Sequence, residues 1–327
     1  MLRLPPYTYH RPARLSTALR LLAEHGADAM PIAGGTDLVP NMKHRLFEPS
    51  HLVSLRAVQE LKGFREEVDG LRIGAAETLD AIERHPVARS RLPALSRACG
   101  LVSGPQLRRM GTIGGNICLD TRCTYYNQTL FWRKALGYCL KKDGDVCHVV
   151  PGGTRCVAAH SADTPPVLIV LGASLEIAGP GGSRTVPIAE FFTSDGIWNR
   201  RMEPDEILVS VFVPWPADGV RVSFQKLRAR DAIDFPLLNL AMLAELDADG
   251  HVARLEAVGS AMGSYPRRIG KIQAAAAGNR LTDSVIDAVA LQAYRQSHPL
   301  DNIPVDAEWR RAMVPVLVRR ALEELAA

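Results

Sequence analysis

The sequence predicts an α+β protein of two units, a larger one at 1–216 and a smaller one at 217–327. Short apolar strand candidates alternate with amphipathic helix patterns along the chain, which is typical of mixed folds. The stretch Pro214-Trp215-Pro216 interrupts this pattern and is the best candidate for a boundary. A chain of 327 residues is also long enough to bury two or three cores.

The elements of the first unit follow from local patterns. Leu15, Ala18, Leu19 and Leu22 share one face of a helix at 14–26, which Gly26 is placed to end. The next predictions, in chain order, are strands at 31–33, 52–55 and 71–75, a helix that Thr78 caps and that stops before Pro86, and a helix at 92–101.

The middle of the chain lacks periodicity and is predicted as a long irregular loop that needs internal cross-links. Order resumes at Asp163. The elements predicted beyond it are an apolar segment at 167–171, a strand at 174–178, a glycine-rich turn at 179–182, strands at 220–227 and 251–259, and helices from Thr282 to the C-terminus.

Composition and charge exclude several functions. Hydrophobic residues form 47% of the chain, yet no apolar run approaches the roughly 20 residues of a membrane span. The net charge of +4 is too small and too dispersed to predict nucleic-acid binding. The N-terminal residues lack the apolar core of a secretory signal. We therefore expect a cytoplasmic protein, without membrane or nucleic-acid partners, whose cysteines are reduced.

Two glycine-rich loops, at 31–38 and 111–116, are candidate phosphate sites. Glycine lets consecutive backbone N–H groups converge on an anion without a Cβ in the way. Thr36 and Thr112 add hydroxyl donors. Neither loop matches the dinucleotide fingerprint or the Walker A pattern, so plain tight turns remain an alternative. Two such loops in one unit favour phosphate binding more than either does alone.

Five of the six cysteines lie between residues 118 and 156. Four of them, Cys123, Cys139, Cys147 and Cys156, follow the spacing C-x15-C-x7-C-x8-C. This is neither the tight ferredoxin spacing nor the paired C-x-x-C of zinc ribbons. An iron–sulfur centre is favoured over zinc, unligated thiols or disulfides. Together with the glycine loops, it indicates an electron relay between an iron–sulfur centre and a nucleotide cofactor.

The loops Gly34-Gly35-Thr36-Asp37 and Thr112-Ile113-Gly114-Gly115-Asn116 resemble the paired FAD-binding loops of the flavoprotein (medium) subunits of the molybdenum hydroxylases, the xanthine dehydrogenase family. Stretches at 161–163, 168–173 and 224–230 extend the resemblance over essentially the whole chain. It implies a two-part FAD-binding domain of the PCMH (vanillyl-alcohol-oxidase-like) type, with subdomains at about 1–55 and 56–216. A small C-terminal α+β flavoprotein domain would follow at 217–327.

The resemblance also implies which residues hold FAD. The pyrophosphate would be wrapped by Pro31, Ile32, Ala33, Gly34, Gly35, Thr36, Asp37 and Leu38. The other side of the cofactor would be held by Thr112, Ile113, Gly114, Gly115 and Asn116. Asp163 would bind the ribityl chain, Lys226 would reach the flavin, and Val102 would touch its ring system. From the residues alone, Asp163 is a helix N-cap, a role compatible with binding a ligand, and Lys226 is better explained as a solvated strand residue.

This chain differs from most such subunits by an insertion at about 118–160. In most of them only a short connector joins the positions that match Asn116 and Asp163. Within this insertion, the stretch at 120–128, with Gly137-Tyr138-Cys139 and Asp145-Val146-Cys147-His148, resembles the insertion of 4-hydroxybenzoyl-CoA reductase β subunits. There the insertion carries a [4Fe–4S] cluster. The matching ligands are Cys123, Cys139, Cys147 and Cys156. Cys118 is then a filler near the flavin, and Cys99 a buried core thiol.

The resemblance places substrate chemistry on other subunits, and no catalytic residue is predicted in this chain. The implied partners are a molybdopterin-containing large subunit, a small subunit with two [2Fe–2S] clusters, and a ferredoxin-type electron donor, in a dimer of heterotrimers. The implied reaction is reductive dehydroxylation of 4-hydroxybenzoyl-CoA to benzoyl-CoA. The alternatives are a related molybdenum hydroxylase or aldehyde dehydrogenase subunit with FAD and [4Fe–4S], a stand-alone flavin oxidase, and a zinc-stapled, non-redox binding module.

Several polar and aromatic residues are expected to have plain roles. Five histidines are scattered over predicted helix ends and turns, where surface roles dominate: His10, His25, His44, His51 and His85. The basic excess of the insertion is expected to be solvated, to offset cluster charge, or to steer an acidic ferredoxin. Its aromatic residues are expected to form a small core under the loop: Tyr125, Tyr126, Phe131 and Trp132.

Overall fold

A computed structural model describes residues 2–327 of the chain and confirms the α+β prediction. The strands of the described chain form a three-stranded, a five-stranded and a four-stranded sheet. The N-terminal elements are β1 (Thr8–His10), α1 (Leu15–His25), β2 (Ala29–Ile32), α2 (Leu38–Lys43) and β3 (His51–Ser54).

The N-terminal sheet is parallel, with strand order β1-β3-β2. Helix α1 buries Ala18 and Leu22 in the same core as Val53 of the central strand, as its apolar periodicity predicts. Gly26 follows the helix with φ +51°, so the predicted helix end is confirmed. Strand β2 runs directly into the first glycine loop, which α2 then closes.

The middle of the chain forms an antiparallel five-stranded sheet with helices packed beside it. Its elements, in chain order, are β4 (Phe64–Glu66), β5 (Gly70–Gly74), α3 (Leu79–Arg84), α4 (Pro86–Arg91), α5 (Pro93–Gly100), α6 (Pro105–Arg108), α7 (Ile113–Ile117), α8 (Leu130–Leu136), α9 (Thr164–Val170), β6 (Ser174–Gly179), β7 (Gly182–Pro187), α10 (Ile188–Phe191) and β8 (Ile207–Pro214). The strand order is β4-β5-β8-β6-β7. Thr78 caps α3 as predicted, since its side chain accepts from the Ala81 N–H at 3.1 Å.

The C-terminal part is an antiparallel four-stranded sheet covered by helices. Its elements are β9 (Val220–Leu227), β10 (Leu238–Leu246), β11 (Val252–Ser260), β12 (Arg267–Arg268), α11 (Gln273–Ala276), α12 (Asp283–Gln296), α13 (Ala307–Ala312) and α14 (Val314–Ala326). The strand order is β12-β11-β10-β9. Met242 of β10, Val289 of α12 and Val318 of α14 lie in one core.

The buried helix α9 packs between the five-stranded and four-stranded sheets. Val167 and Leu168 share a core with Val211 of β8 and with Phe224 and Ala241 of the C-terminal sheet. The residue just before α9, Asp163, is thereby placed where the two sheets meet. Between residues 2 and 327 no helix has both the length and the apolar character needed to cross a bilayer.

Candidate functional site

The first glycine loop joins β2 to α2 and presents unused backbone donors. Gly35 has φ +72°, a conformation that favours glycine. Within residues 2–327, the backbone N–H groups of Gly34, Gly35, Thr36 and Asp37 donate to no other residue. A run of consecutive free N–H groups forms an anion-binding nest. The loop therefore suits a pyrophosphate group.

The two glycine loops lie side by side although they are far apart in sequence. A Cβ built on Gly34 would lie 1.9 Å from the carbonyl oxygen of Met110, just before the second loop. Any other residue at position 34 would push the loops apart. Thr36 also lies close to Gly111, with its Oγ1 3.4 Å from a Cβ built there.

The second glycine loop differs from the first because its backbone donors are already bonded. Thr112 caps α7, since its Oγ1 accepts from the Gly115 N–H at 3.0 Å. The Gly114 N–H donates to the Ala75 carbonyl oxygen at 2.9 Å. A Cβ on Gly114 would lie 2.8 Å from that same oxygen. This loop is therefore held against the end of β5, and its N–H groups are not free to bind an anion as those of the first loop are.

Asn116 ties the second glycine loop to the start of α9. Its Oδ1 accepts from the Thr164 hydroxyl at 2.7 Å and from the Thr164 N–H at 3.1 Å. Both residues are buried. The structure therefore brings Asn116 next to Asp163, across the whole insertion that separates them in sequence.

Asp163 and Lys226 form a buried ion pair between the two sheets. The Lys226 Nζ donates to Asp163 Oδ2 at 2.8 Å, and the Asn239 side chain donates to Asp163 Oδ1 at 2.9 Å. The Lys226 side chain is 1% exposed, so the alternative of a solvated strand residue is wrong. Asp163 occupies the N-cap position of α9, but its side chain makes no capping hydrogen bond and pairs with Lys226 instead. Burial raises the pKa of Asp163, and the nearby ammonium of Lys226 opposes that rise.

Val102 lies beside this ion pair. The Lys226 Nζ also donates to the Leu101 carbonyl oxygen at 2.9 Å. Ser103 has φ +47°, and its carbonyl oxygen accepts from the Ile233 N–H at 3.1 Å. The turn that holds Val102 thus meets the loop after β9. Contact between Val102 and a flavin ring stays a prediction.

The four cysteines of the insertion converge on one cavity. Cys123, Cys139, Cys147 and Cys156 line it together with Lys141 and other neighbours. All four are free thiols, and burial raises the pKa of both Cys123 and Cys156 to about 11. Among the described residues, no three cysteine sulfurs lie within 4.8 Å of one another. A single tetrahedral zinc ion, with Zn–S near 2.3 Å, needs sulfurs about 3.8 Å apart, so this ring is wider than a zinc site.

Protein groups already surround the Cys156 sulfur as they would a metal-bound thiolate. The Ala158 N–H donates to it at 3.4 Å. A Cβ built on Gly196 would lie 2.8 Å from it, so only glycine fits there. The sequence did not indicate Gly196, because it lies outside the insertion and meets Cys156 only through the fold.

Basic side chains of the insertion point inward, so the expectation that they are solvated is wrong for three of them. Arg122 donates to Asp37 of the first glycine loop at 2.8 Å. Lys141, with a side chain 4% exposed, donates to Asp120 at 2.7 Å. Arg133 is buried and donates to backbone carbonyl oxygens just after α2, at 2.9 and 3.1 Å. The contacts of Arg122 and Arg133 hold the insertion against the first glycine loop and the segment after α2.

The predicted aromatic core of the insertion is only partly present. Tyr126 is buried in a small cluster with Leu46 and Cys139. Phe131 is 85% exposed and Trp132 is also exposed, so the prediction is wrong for these two residues. Cys99 is fully buried in the main core, as predicted.

Comparisons with known proteins agree with this geometry. Residues 5–216 match the family model described as the FAD binding domain in molybdopterin dehydrogenase. Residues 223–325 match the CO dehydrogenase flavoprotein C-terminal domain. The carbon monoxide dehydrogenase medium chain of Afipia carboxidovorans is 30% identical over 323 residues, covering 98% of this chain and 97% of that one. The aldehyde oxidoreductase FAD-binding subunit PaoB of Escherichia coli is 30% identical over 256 residues, covering 76% and 80%.

A solved structure gives the same result for the fold. Carbon monoxide dehydrogenase from Hydrogenophaga pseudoflava superposes with a TM-score of 0.80 at 28% identity, covering 98% of this chain and 97% of that one. The chain therefore belongs to the family of FAD-binding subunits of the molybdenum hydroxylases. It is an oxidoreductase subunit with FAD as its cofactor, and the free donors of the first glycine loop fit that cofactor's pyrophosphate.

Proposed function

We propose that this chain is the FAD- and [4Fe–4S]-carrying subunit of a heteromeric molybdenum enzyme of the 4-hydroxybenzoyl-CoA reductase class. The observation that carries the proposal is the convergence of four free thiols on one cavity. These thiols lie in the insertion that resembles the cluster-bearing loop of that class. Their location next to the flavin-side loop, through the Arg122–Asp37 contact, supports a shared electron-transfer role.

The geometry of the cavity favours an iron–sulfur cluster over zinc. A cubane cluster places its four cysteine ligands around a body larger than one ion, which suits the wide spacing of the sulfurs. Cys123, Cys139, Cys147 and Cys156 would be its ligands. The buried ammonium of Lys141 lies close enough to lower the pKa of Cys156 against the effect of burial, and it would likewise offset cluster charge.

Two sets of side chains would hold the cofactors. The free N–H groups of the first glycine loop would bind the FAD pyrophosphate, and Asp163, oriented by Lys226, would accept from the ribityl hydroxyls. When bound, FAD and an iron–sulfur cluster supply the conversion between one-electron and two-electron transfer. This chain's residues bind and orient both groups, and they exclude water from the ion pair between the sheets.

We further propose that the partners are a molybdopterin-containing large subunit, a small subunit with two [2Fe–2S] clusters, and a ferredoxin-type donor. Relatives named medium chain or FAD-binding subunit support the heteromeric assembly. We place the complex in the cytoplasm, where thiols stay reduced and available to metal.

A second candidate is the subunit of a related molybdenum hydroxylase or aldehyde dehydrogenase. The similarity to an aldehyde oxidoreductase FAD-binding subunit favours it. Because substrate chemistry would lie on the large subunit, the two candidates differ in the holoenzyme and not in this chain. Assaying the complex for benzoyl-CoA formation and for aldehyde oxidation separates them.

The experiment that tests the cluster is the iron, acid-labile sulfide, zinc and flavin content of anaerobically purified protein. We expect about four irons, about four sulfides and about one FAD per chain, as in other four-thiolate [4Fe–4S] proteins. One FAD together with zinc, or with no metal, would leave the family assignment intact and overturn the iron–sulfur proposal. Cys118→Ser protein is the matched control, because Cys118 is outside the ring of four thiols that line the cavity.

A further inference from the structure

Three histidines that are scattered in the sequence meet at one side of the N-terminal sheet. His10 ends β1, His25 ends α1 and His51 begins β3. One ring nitrogen of each lies within 4.8 Å of a ring nitrogen of the other two. The expectation of separate surface roles is therefore wrong for these three residues.

The rings face one another closely. His10 Nε2 lies 2.9 Å from His51 Nδ1. The rings of His25 and His51 are stacked, with centroids 3.7 Å apart and planes 3° apart. Across the described chain, the ring nitrogens of this trio form no hydrogen bond to any residue outside the trio. Three partly buried imidazoles thus share one small volume with most of their nitrogens unused.

The backbone holds the three side chains in place. His10 and His51 come from neighbouring parallel strands whose register pairs Thr8 with His51. His25 is the last residue of α1, where the chain turns at Gly26 with φ +51°. Two of the three candidate ligands are therefore fixed by a sheet ladder and the third by a helix end. Such support from regular elements is what a preorganised metal site needs.

The chemistry of three imidazoles is that of a transition-metal site. Neutral imidazole nitrogens are ligands for Zn²⁺ and for Co²⁺, Ni²⁺ and Cu²⁺. Metal–nitrogen bonds of 2.0–2.1 Å place tetrahedral ligands about 3.3 Å apart. The stacked rings of His25 and His51 have to turn out of their parallel planes before both can direct a lone pair at one ion. Three protein ligands leave a coordination position for water.

We propose that His10, His25 and His51 bind one divalent transition-metal ion of the Zn²⁺ class, at a site separate from the cysteine cavity. The ion would join β1, α1 and β3. Strand β1 is an edge strand that pairs only with β3, so the bound metal would fasten the beginning of the chain to the subdomain that carries the first glycine loop. This proposal does not depend on the iron–sulfur cluster.

The test uses Co²⁺ as a probe on the full chain with its cofactors bound, after removal of loosely held metal by a chelator. Cobalt on imidazoles gives ligand-field absorption without thiolate-to-cobalt charge transfer, which distinguishes this site from the cysteines. We expect saturation at about one equivalent, and at least about tenfold weaker binding in His25→Gln and in His51→Gln, since even outer-sphere changes cost that much. Bound Co²⁺ should also raise the Tm of the wild type and not of the variants.

His298→Gln is the matched control, because His298 is exposed and does not belong to the trio of His10, His25 and His51. It should bind Co²⁺ as the wild type does. Equal Co²⁺ affinities in the wild type and the His25→Gln and His51→Gln proteins, each with an unchanged metal-free Tm, would overturn the proposal. So would absorption showing thiolate charge transfer alone. A second readout, slower hydrogen exchange at residues 8–10 when Co²⁺ is bound, does not depend on the spectra and is expected only if the metal joins these elements.

Discussion

The proposed flavin pocket and the cysteine cavity are built in opposite ways. The pocket depends on backbone geometry: free N–H groups of the first loop, close packing of Gly34 on Met110, and one ion pair between two sheets. The cavity depends on side chains from an insertion whose only helix is α8. The contacts of the proposed flavin pocket are therefore formed by the fold itself, whereas the cavity depends on an insertion that has little regular secondary structure.

The largest expected effect is the separation of the two sites by Cys139→Ser. Loss of one of four thiolate ligands should reduce iron from about four per chain to near zero and leave FAD bound, because the flavin pocket contains no residue of the thiol ring. Iron and flavin analysis of the anaerobic protein measures both. Loss of FAD as well, with the fold intact by circular dichroism, would show that the two sites are not independent.

The second prediction concerns the proposed flavin pocket, where Lys226→Met removes the ammonium that pairs with Asp163. It leaves the Asp163 carboxylate buried without its partner, and breaking a buried pair costs about 3–5 kcal/mol of unfolding free energy. Urea unfolding measures this loss. Lys271→Met, at an exposed lysine, should change stability by less than about 0.5 kcal/mol.

The double variant Asp163→Asn/Lys226→Met distinguishes an unpaired charge from lost packing. Because it removes both charges, it should recover part of the stability lost in the single variant. Failure to recover any would mean that Lys226 acts through its packing rather than its charge.

The sequence predicted which residues form the proposed flavin pocket, but it did not predict the surroundings of the cysteine cavity. Gly34, Thr112, Asp163 and Lys226 lie in short motifs that a family resemblance carries over one position at a time. The thiols were found by their clustering in sequence. In contrast, the contact between Arg122 and Asp37 arises only when distant segments fold together, and no local pattern encodes it.

The same reason explains the errors. His10, His25 and His51 belong to three different elements, so their meeting depends on the parallel pairing of β1 with β3. Phe131 was expected inside because it is aromatic, yet α8 turns it to the exterior and buries Arg133 instead. Residue type predicted burial poorly in the insertion, where a few specific hydrogen bonds decide which face of the helix is inside.

His160 lies between Cys156 of the cysteine cavity and Asp163 of the proposed flavin pocket. Its burial predicts that the stability of the protein depends on pH. His160 is fully buried, its two ring nitrogens have no partner among the described residues, and burial lowers its pKa from 6.5 to about 3. The unfolded histidine takes up a proton below 6.5 and the folded one does not until about 3. The free energy of unfolding therefore decreases as the pH is lowered from 6.5 to about 3, by up to about 1.4 kcal/mol per pH unit.

The measurement is urea unfolding of the wild type and of His160→Leu at about pH 7 and about pH 5. The wild type should lose about 2 kcal/mol more than the variant between these values. His298→Leu, at an exposed histidine, should keep the wild-type slope. Equal slopes in the wild type and His160→Leu would show that His160 exchanges protons freely and that the connection between the two regions opens to water.

The smallest expected effect is electrostatic and confined to the cavity. Lys141 lines the cavity with the four thiols, and removing its charge in Lys141→Met should stabilise the more negative, reduced cluster less. We expect the midpoint potential to become about 60 mV more negative, equivalent to a tenfold change for one electron. Lys142→Met, at the neighbouring lysine with a 40% exposed side chain, should shift the midpoint potential much less because water screens that charge.

Because Lys141 also neutralises Asp120 at 2.7 Å, the variant Asp120→Asn/Lys141→Met should return the potential toward the wild-type value. A potential that stays low in the double variant would mean that the Lys141 hydrogen bonds to Thr121 and Gly196 shape the cavity, rather than its charge.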